Sequence, residues 1–311
     1  MSYKGPVTHV FLYHAYALAL GGWVRDKHGQ FTSIPSIAPS VLSITGGYGA
    51  ACEKNLNISI PGKYPFGERG PNAFHLYVGH AFTEVRGVEN EDENPYGVYK
   101  TTVRSVLDDV RINDELQVEH AEAILESTHP IPGQDHDVDE AGVVVGDSNM
   151  SGVRIRGQKV GLVKHRDIDR EPRYRPLHDE IKAHLRGAAA SGESDALRAS
   201  FIEELCDWHN PDDVPKDDKD LAYARDLATI NQKSQNRLRF SIFKGLDTPP
   251  AKGVKTYKTS VAVEDFGRIF FGEVIASHGM KQVTMFRIDL GCDNCGGVGG
   301  SGGTTNGGPM P

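Results

Sequence analysis

Three short stretches carry the side chains with the clearest chemical potential. Cys292 and Cys295, with two residues between them, have the spacing of a metal half-site or of a redox pair. A redox pair needs a helix N-terminus to stabilise its thiolate, and the glycines that follow deny one. Zinc suits the spacing better. Cys206 and His209 would offer a second pair on one helical turn, so Cys206, His209, Cys292 and Cys295 together would form a structural Cys3His site. The plainer reading makes Cys206 a small core residue beside Leu205 and leaves the other two in a loop. The second stretch, Asp135–Glu140, is rich in carboxylates that could collect a hard cation such as calcium. It lacks the glycine and the fixed spacing of an EF-hand loop and reads more simply as a solvated acidic loop. The third is Gly146-Asp147-Ser148, directly after the apolar run Val143–Val145. Ser148 would be a nucleophile only if an imidazole and an acid meet it, because a serine hydroxyl is unreactive without a base.

Among the thirteen histidines, His9, His14, His75, His80 and His120 lie on strand-like stretches and become informative only if sheet packing gathers them. His178 and His184 are six apart and point to different faces of a helix. Gly46-Gly47-Tyr48-Gly49 is not followed by a helix, which argues against a phosphate-cradling loop.

The elements that must position these residues are mostly strands. Val103–Ile112 and Leu116–Ser127 alternate apolar and polar residues, and a single period of two puts Ile112, Leu116, Val118 and Ile124 on one side. Val143–Val160 reads as a hairpin interrupted by GDSNMSG. Val7–Leu20 is a long first strand stopped by Gly21-Gly22, and Phe74–Val85 is another strand. From about Arg166 the pattern becomes helical. Leu177–Arg186 carries an apolar stripe, Ser194 caps a second helix bearing Leu197, Phe201, Leu205 and Trp208, and Lys219–Gln235 forms a third. Strand character returns over Arg237–Phe243, Tyr257–Val263, Arg268–Ala276 and Gln282–Leu290, with Ser277-His278-Gly279 as a hairpin turn.

The expected fold is therefore mainly β: antiparallel sheets in a sandwich- or barrel-like arrangement with an inserted three-helix segment. The organisation is a β region over 1–165, a helical insertion over 166–236, a β region over 237–290 completing the same domain, and a Gly-rich tail over 291–311. Such a tail buries too little apolar surface to offset its ordering entropy, so it is expected to be disordered unless a groove or a neighbouring chain holds it.

Two resemblances can be placed on named residues. Gly146-Asp147-Ser148 after a strand resembles the first block of the SGNH/GDSL hydrolases, which implies a nucleophilic serine opening a helix and a base from a later Asp-x-x-His. Here Val153–Val163 reads as strand, and Asp207-Trp208-His209 has the wrong spacing. Residues 103–163 also resemble uncharacterised bacterial β-rich proteins, including surface proteins of the choice-of-anchor type. The closing element of that pattern reads Met150-Ser151-Gly152-Val153-Arg154-Ile155-Arg156-Gly157, and it implies no catalytic residues.

A formal charge of −8 disfavours nonspecific binding to nucleic acid. The basic residues of Lys159–Arg175 are interleaved with Asp167, Asp169 and Glu171. No run approaches the roughly 20 apolar residues of a membrane helix. Four cysteines without a regular framework agree with a reducing, cytoplasmic setting. The expectation is a non-enzymatic β scaffold that binds a protein partner or self-associates, with no cofactor beyond a structural zinc. A hydrolase using Ser148 or a His/acidic metal site is the alternative. On this reading a chain ending at Leu290 would fold and change its oligomer size.

Overall fold

The computed structural model describes residues 11–25, 30–61, 73–90, 98–130, 140–185, 237–247, 252–278, 280–290 and 296–309. The first strands are β1 (Phe11–Arg25), β2 (Phe31–Ile37), β3 (Ser40–Val41), β4 (Gly47–Pro61), β5 (Ala73–Asn90), β6 (Val98–Ile112) and β7 (Leu116–Pro130). Five short ones follow: β8 (Gly142–Val144), β9 (Asn149–Ser151), β10 (Arg154–Ile155), β11 (Gln158–Lys159) and β12 (Gly161–Lys164). After the helix α1 (Tyr174–Leu185) come β13 (Arg237–Ser241), β14 (Phe243–Asp247), β15 (Val254–Tyr257) and β16 (Ser260–Val263). The last three are β17 (Gly267–Ser277), β18 (Met280–Leu290) and β19 (Gly296–Pro309).

These strands make two large antiparallel sheets. The first has nine strands in the order β15-β16-β17-β18-β19-β1-β2, with β13 beside β17 and β3 beside β1. The second has eight, ordered β11-β10-β7-β6-β5-β4, with β8 and β9 both along β7. β1 and β19 lie against β5, β6 and β7. The core between the sheets is unusually small-sided there, with Ala15, Ala17, Ala19, Ala81, Ala121 and Ala123 all buried. Hydroxyls stitch the layers together. Ser105 Oγ donates to the Leu18 carbonyl at 3.1 Å, Ser127 Oγ meets Thr305 Oγ1 at 2.9 Å, and Thr83 Oγ1 donates to the Ala38 carbonyl at 2.7 Å. The close approach lets these buried polar groups find partners across the interface.

The Gly-rich tail is held by the chain's own strands. Residues 296–309 form β19, an inner strand paired along its length with β1 on one side and β18 on the other. Its own side chains bury little, so its neighbours supply the apolar cover. The Phe286 ring lies over Gly300, and Val103 from the opposite sheet occupies the space a Cβ on Gly303 would need. Glycine here is a requirement of close packing rather than a sign of disorder. For the same reason Gly21-Gly22 do not stop β1, which runs on to Arg25 opposite Gly299 and Val298.

One helix of the expected three lies within the described residues. It begins at Tyr174, three residues before the predicted start. The Glu140 carboxylate caps it by accepting from the amides of Tyr174 at 2.8 Å and Arg175 at 3.0 Å. Pro176 falls in the first turn, where its missing N–H costs nothing. The second and third helices fall on residues outside those described. Val143–Val160 is not one hairpin either: β8 and β9 both pair with β7, so Gly146–Ser148 is a bulge within one interrupted edge. The true hairpin is β10–β11, turning through Arg156 and Gly157, whose φ values of 50° and 76° match a type I′ turn.

Both sheets are creased across their strands. In the second, the ladders run Lys54↔His80, His80↔Asp108 and Asp108↔His120, then resume at Leu56↔Val78, Val78↔Val110 and Val110↔Val118. Asn55, Gly79, Asp109 and Glu119 are skipped together, so register survives while the alternation of faces slips by one. Asn55 and Asp109 take left-handed backbone, at φ 53° and 49°, as does Gly152 beside Glu119. On β5, Phe74, Leu76 and Val78 are buried before the crease and Ala81, Thr83 and Val85 after it. Two successive residues of each strand therefore face outward along one line.

Candidate functional site

That outward line is where titratable groups meet. Lys54, His80, Asp108 and His120 stand side by side on β4, β5, β6 and β7, because direct cross-strand partners share a face. His80 Nδ1 donates to Asp108 Oδ2 at 2.9 Å, and His120 Nδ1 donates to Asp108 Oδ1 at 2.7 Å. Burial works upward on the Asp108 carboxyl, but the hydrogen bonds and charges of His120 and His80 outweigh it and hold its pKa below the usual value. The side chains are open to solvent, at 35% for His80, 40% for Asp108 and 34% for His120.

With Nδ1–H given to a carboxylate, the His80 Nε2 lone pair is left as an acceptor. It lies 3.6 Å from Cys52 Sγ, on the exposed face of β4 one pleat away. His120 Nε2 lies 3.7 Å from Glu122 Oε2, and Arg104 Nε holds the other oxygen of Glu122 at 2.7 Å. Thiol, imidazole and carboxylate thus stand in the order nucleophile, base, orienting acid. The surroundings differ from those of an acyl-transfer enzyme. The group stands on an open sheet face flanked by Phe82 and the Arg104 guanidinium above that ring. A cleft of 790 Å³ lies elsewhere, lined by Gly146, Asp147, Lys164, His165, Asp167 and Asp169 among others.

The Ser148 hydroxyl has a structural task. Between the pairs Glu126↔Val144 and Glu122↔Asn149, Ile124 faces no strand residue. Ser148 Oγ fills the gap, accepting from the Ile124 amide at 2.8 Å and donating to its carbonyl at 3.0 Å. The side chain has no exposed surface. A buried hydroxyl spent on both backbone groups of one residue cannot attack a substrate, which corrects the nucleophile reading. Asp169 completes the bulge by accepting from the amides of Val145, at 2.7 Å, and Gly146, while the Lys164 ammonium donates to the Gly146 carbonyl.

The proposed zinc ligands Cys206, His209, Cys292 and Cys295 all lie outside the described residues, as do Asp135–Asp139. Glu140, the last of the acidic stretch, serves as the helix cap. Among the described residues no three His, Cys, Asp or Glu side chains are placed to hold one metal ion. Of the strand histidines, His80 and His120 converge through Asp108. His14 is exposed on β1, His75 lies beyond the crease on β5, and His9 is outside the described residues. The residues that sequence reasoning missed are Cys52 and Asp108. Their signal was a repeated stumble in alternation: Lys54-Asn55, Gly79-His80, Asp108-Asp109 and Glu119-His120 each put two polar or small residues in succession inside a strand.

Comparison with curated proteins and with solved structures finds no match. A family model does match, over residues 11–277, which takes in both creases except for β18 and β19. The chain belongs to the family described as a domain of unknown function, DUF8256.

Proposed function

We propose that the protein is a non-enzymatic β scaffold that self-associates through the free side of β4 and the turn leading into it. The observation carrying this reading is the end of the second sheet. β4 is 15 residues long, and among the described residues no strand pairs with its outer side. Just before and at its start, Val41, Ile44 and Tyr48 are 68%, 63% and 65% exposed. An unpaired edge beside grouped apolar side chains is a surface that another strand can extend. A second copy is the occupant assigned, since one self-complementary patch suffices for a two-fold contact. The middle of β4 is shielded by Lys54 and by the left-handed kink at Asn55, so the contact is confined to Gly47–Glu53 and the preceding turn. Sedimentation velocity of the full chain tests this. A concentration-dependent dimer is expected, weakened at least about tenfold, or ~1.4 kcal/mol, by Ile44→Glu or Tyr48→Lys. A chain that remains monomeric at roughly 100 µM would remove the basis for self-association.

A further inference from the structure

We infer that Cys52 is a reactive thiol, activated by His80 and Asp108, whose partner is a small disulfide. The geometry supplies each role. His80 Nε2, 3.6 Å from Sγ, takes the thiol proton, and Asp108 Oδ2, 2.9 Å from Nδ1, holds the resulting imidazolium. The charged groups facing Cys52 are Lys54 on its own strand, His80 and Glu84 on β5, and Arg104 of β6, whose guanidinium stands over the Phe82 ring opposite Cys52. Reaction class follows from the setting. Acyl transfer needs donors aimed at a developing oxyanion inside a water-poor site, and this face is open. Thiol–disulfide exchange needs only a thiolate and in-line access to an S–S bond. An exposed side chain on a sheet face provides that access.

The step balances without a further reagent. The Cys52 proton moves to His80 and the thiolate attacks one sulfur of RS–SR. The Cys52–S–SR bond forms as the S–S bond breaks, and the leaving RS⁻ takes the proton back from His80. Cys52 is oxidised and one half of the disulfide is reduced. His120, on the far side of Asp108, positions the carboxylate and touches no reacting atom.

The test uses the reduced full-length protein and glutathione disulfide, with modification read at Cys52 by peptide mass spectrometry across pH 6 to 9. Expected is a mixed disulfide at Cys52 whose rate at neutral pH is about tenfold above that of an unassisted cysteine thiol. His80→Gln should lose that advantage, while Asp108→Asn should lose part of it. His75→Gln, beyond the crease, is the control and should leave the profile unchanged. Circular dichroism melts of each variant separate loss of activation from loss of fold. A profile for the native protein that coincides with His80→Gln, both folded, overturns the inference.

Discussion

The two sheets carry the same backbone device turned in opposite directions. In the first sheet the ladders skip Ala38, Ala19, Ser301, Met285 and Gly272, with Ala38, Ser301 and Gly272 left-handed at φ 46°, 48° and 62°. In the second they skip Asn55, Gly79, Asp109 and Glu119, and left-handed residues again occupy every second strand. The difference lies in which face receives the doubled residues. In the first sheet Ala19-Leu20, Gly300-Ser301 and Met285-Phe286 are all buried. In the second, Lys54-Asn55, Asp108-Asp109 and Glu119-His120 are exposed or half-buried. A crease doubled inward adds packing, and one doubled outward gathers polar side chains from four strands without burying any of them. The second arrangement can carry chemistry because its titratable groups stay partly solvated and escape the full desolvation that the first would impose.

The most severe way to probe the inward crease is to remove its central strand. A chain ending at Leu290 leaves β1 and β18 without the partner between them. It also loses the bonds of Ser301 Oγ to the Ala123 amide, 3.1 Å, and to the Ser105 carbonyl, 2.7 Å. The expectation drawn from composition, that such a chain would fold, is therefore reversed. No cooperative thermal transition should be seen by calorimetry. A retained two-state melt would mean that the first sheet closes without β19 and that its crease is incidental.

Acid sensitivity sharpens the contrast between buried and exposed histidines. His129, further along β7, is 7% exposed and packs its ring against Phe11 at 4.9 Å. Burial pushes its pKa down from 6.5 to about 4. Between those values the unfolded chain binds a proton that the folded one refuses, so stability is full above pH 6.5 and falls as pH drops towards 4. The loss is on the order of 3 kcal/mol. Asp108, held low by its two histidines, adds a further loss only as pH falls through the carboxylate range. Denaturant melts of His129→Leu should lack the slope between pH 6.5 and 4, while the doubly substituted His80→Gln/His120→Gln protein keeps it. If the slope instead follows the double substitution, the outward crease is not the solvent-relieved site described.

Strands were legible because half-buried sheets impose a period of two, and the long strands of the second sheet show it plainly. The crease was legible only as a defect in that period. A single phase along β7 put Ile124 with Ile112, Leu116 and Val118, whereas those three are buried on the inner side and Ile124 lies half-exposed on the other. The doublet Glu119-His120 is where the phase slips. β19 was invisible for a different reason: glycine has no side chain to alternate, and the burial that orders it comes from Phe286 and Val103, far away in sequence. The row Cys52, His80, Asp108, His120 depends on register between four strands. Register is a long-range property that single-strand patterns do not carry.

The smallest effect offers the sharpest comparison, since it asks the same substitution of each crease. Ser301 and Asp109 hold nearly the same left-handed backbone, φ 48° and 49°, which glycine adopts without strain. At Asp109 the side chain is half-exposed and its carboxylate pairs with Arg111 at 2.9 Å, an exposed contact of little net value. Asp109→Gly should therefore stabilise the protein by about 1 kcal/mol, the relief of the left-handed backbone. At Ser301 that relief is outweighed, because the missing hydroxyl strands the buried Ala123 amide and Ser105 carbonyl at a cost of roughly 1–3 kcal/mol each. Ser301→Gly should therefore destabilise by about 2 kcal/mol net. Urea melts at pH 7.5, above the His129 window, would resolve shifts of opposite sign. Shifts of the same sign would show that backbone strain alone governs both creases and that the direction of the doubled residues does not matter.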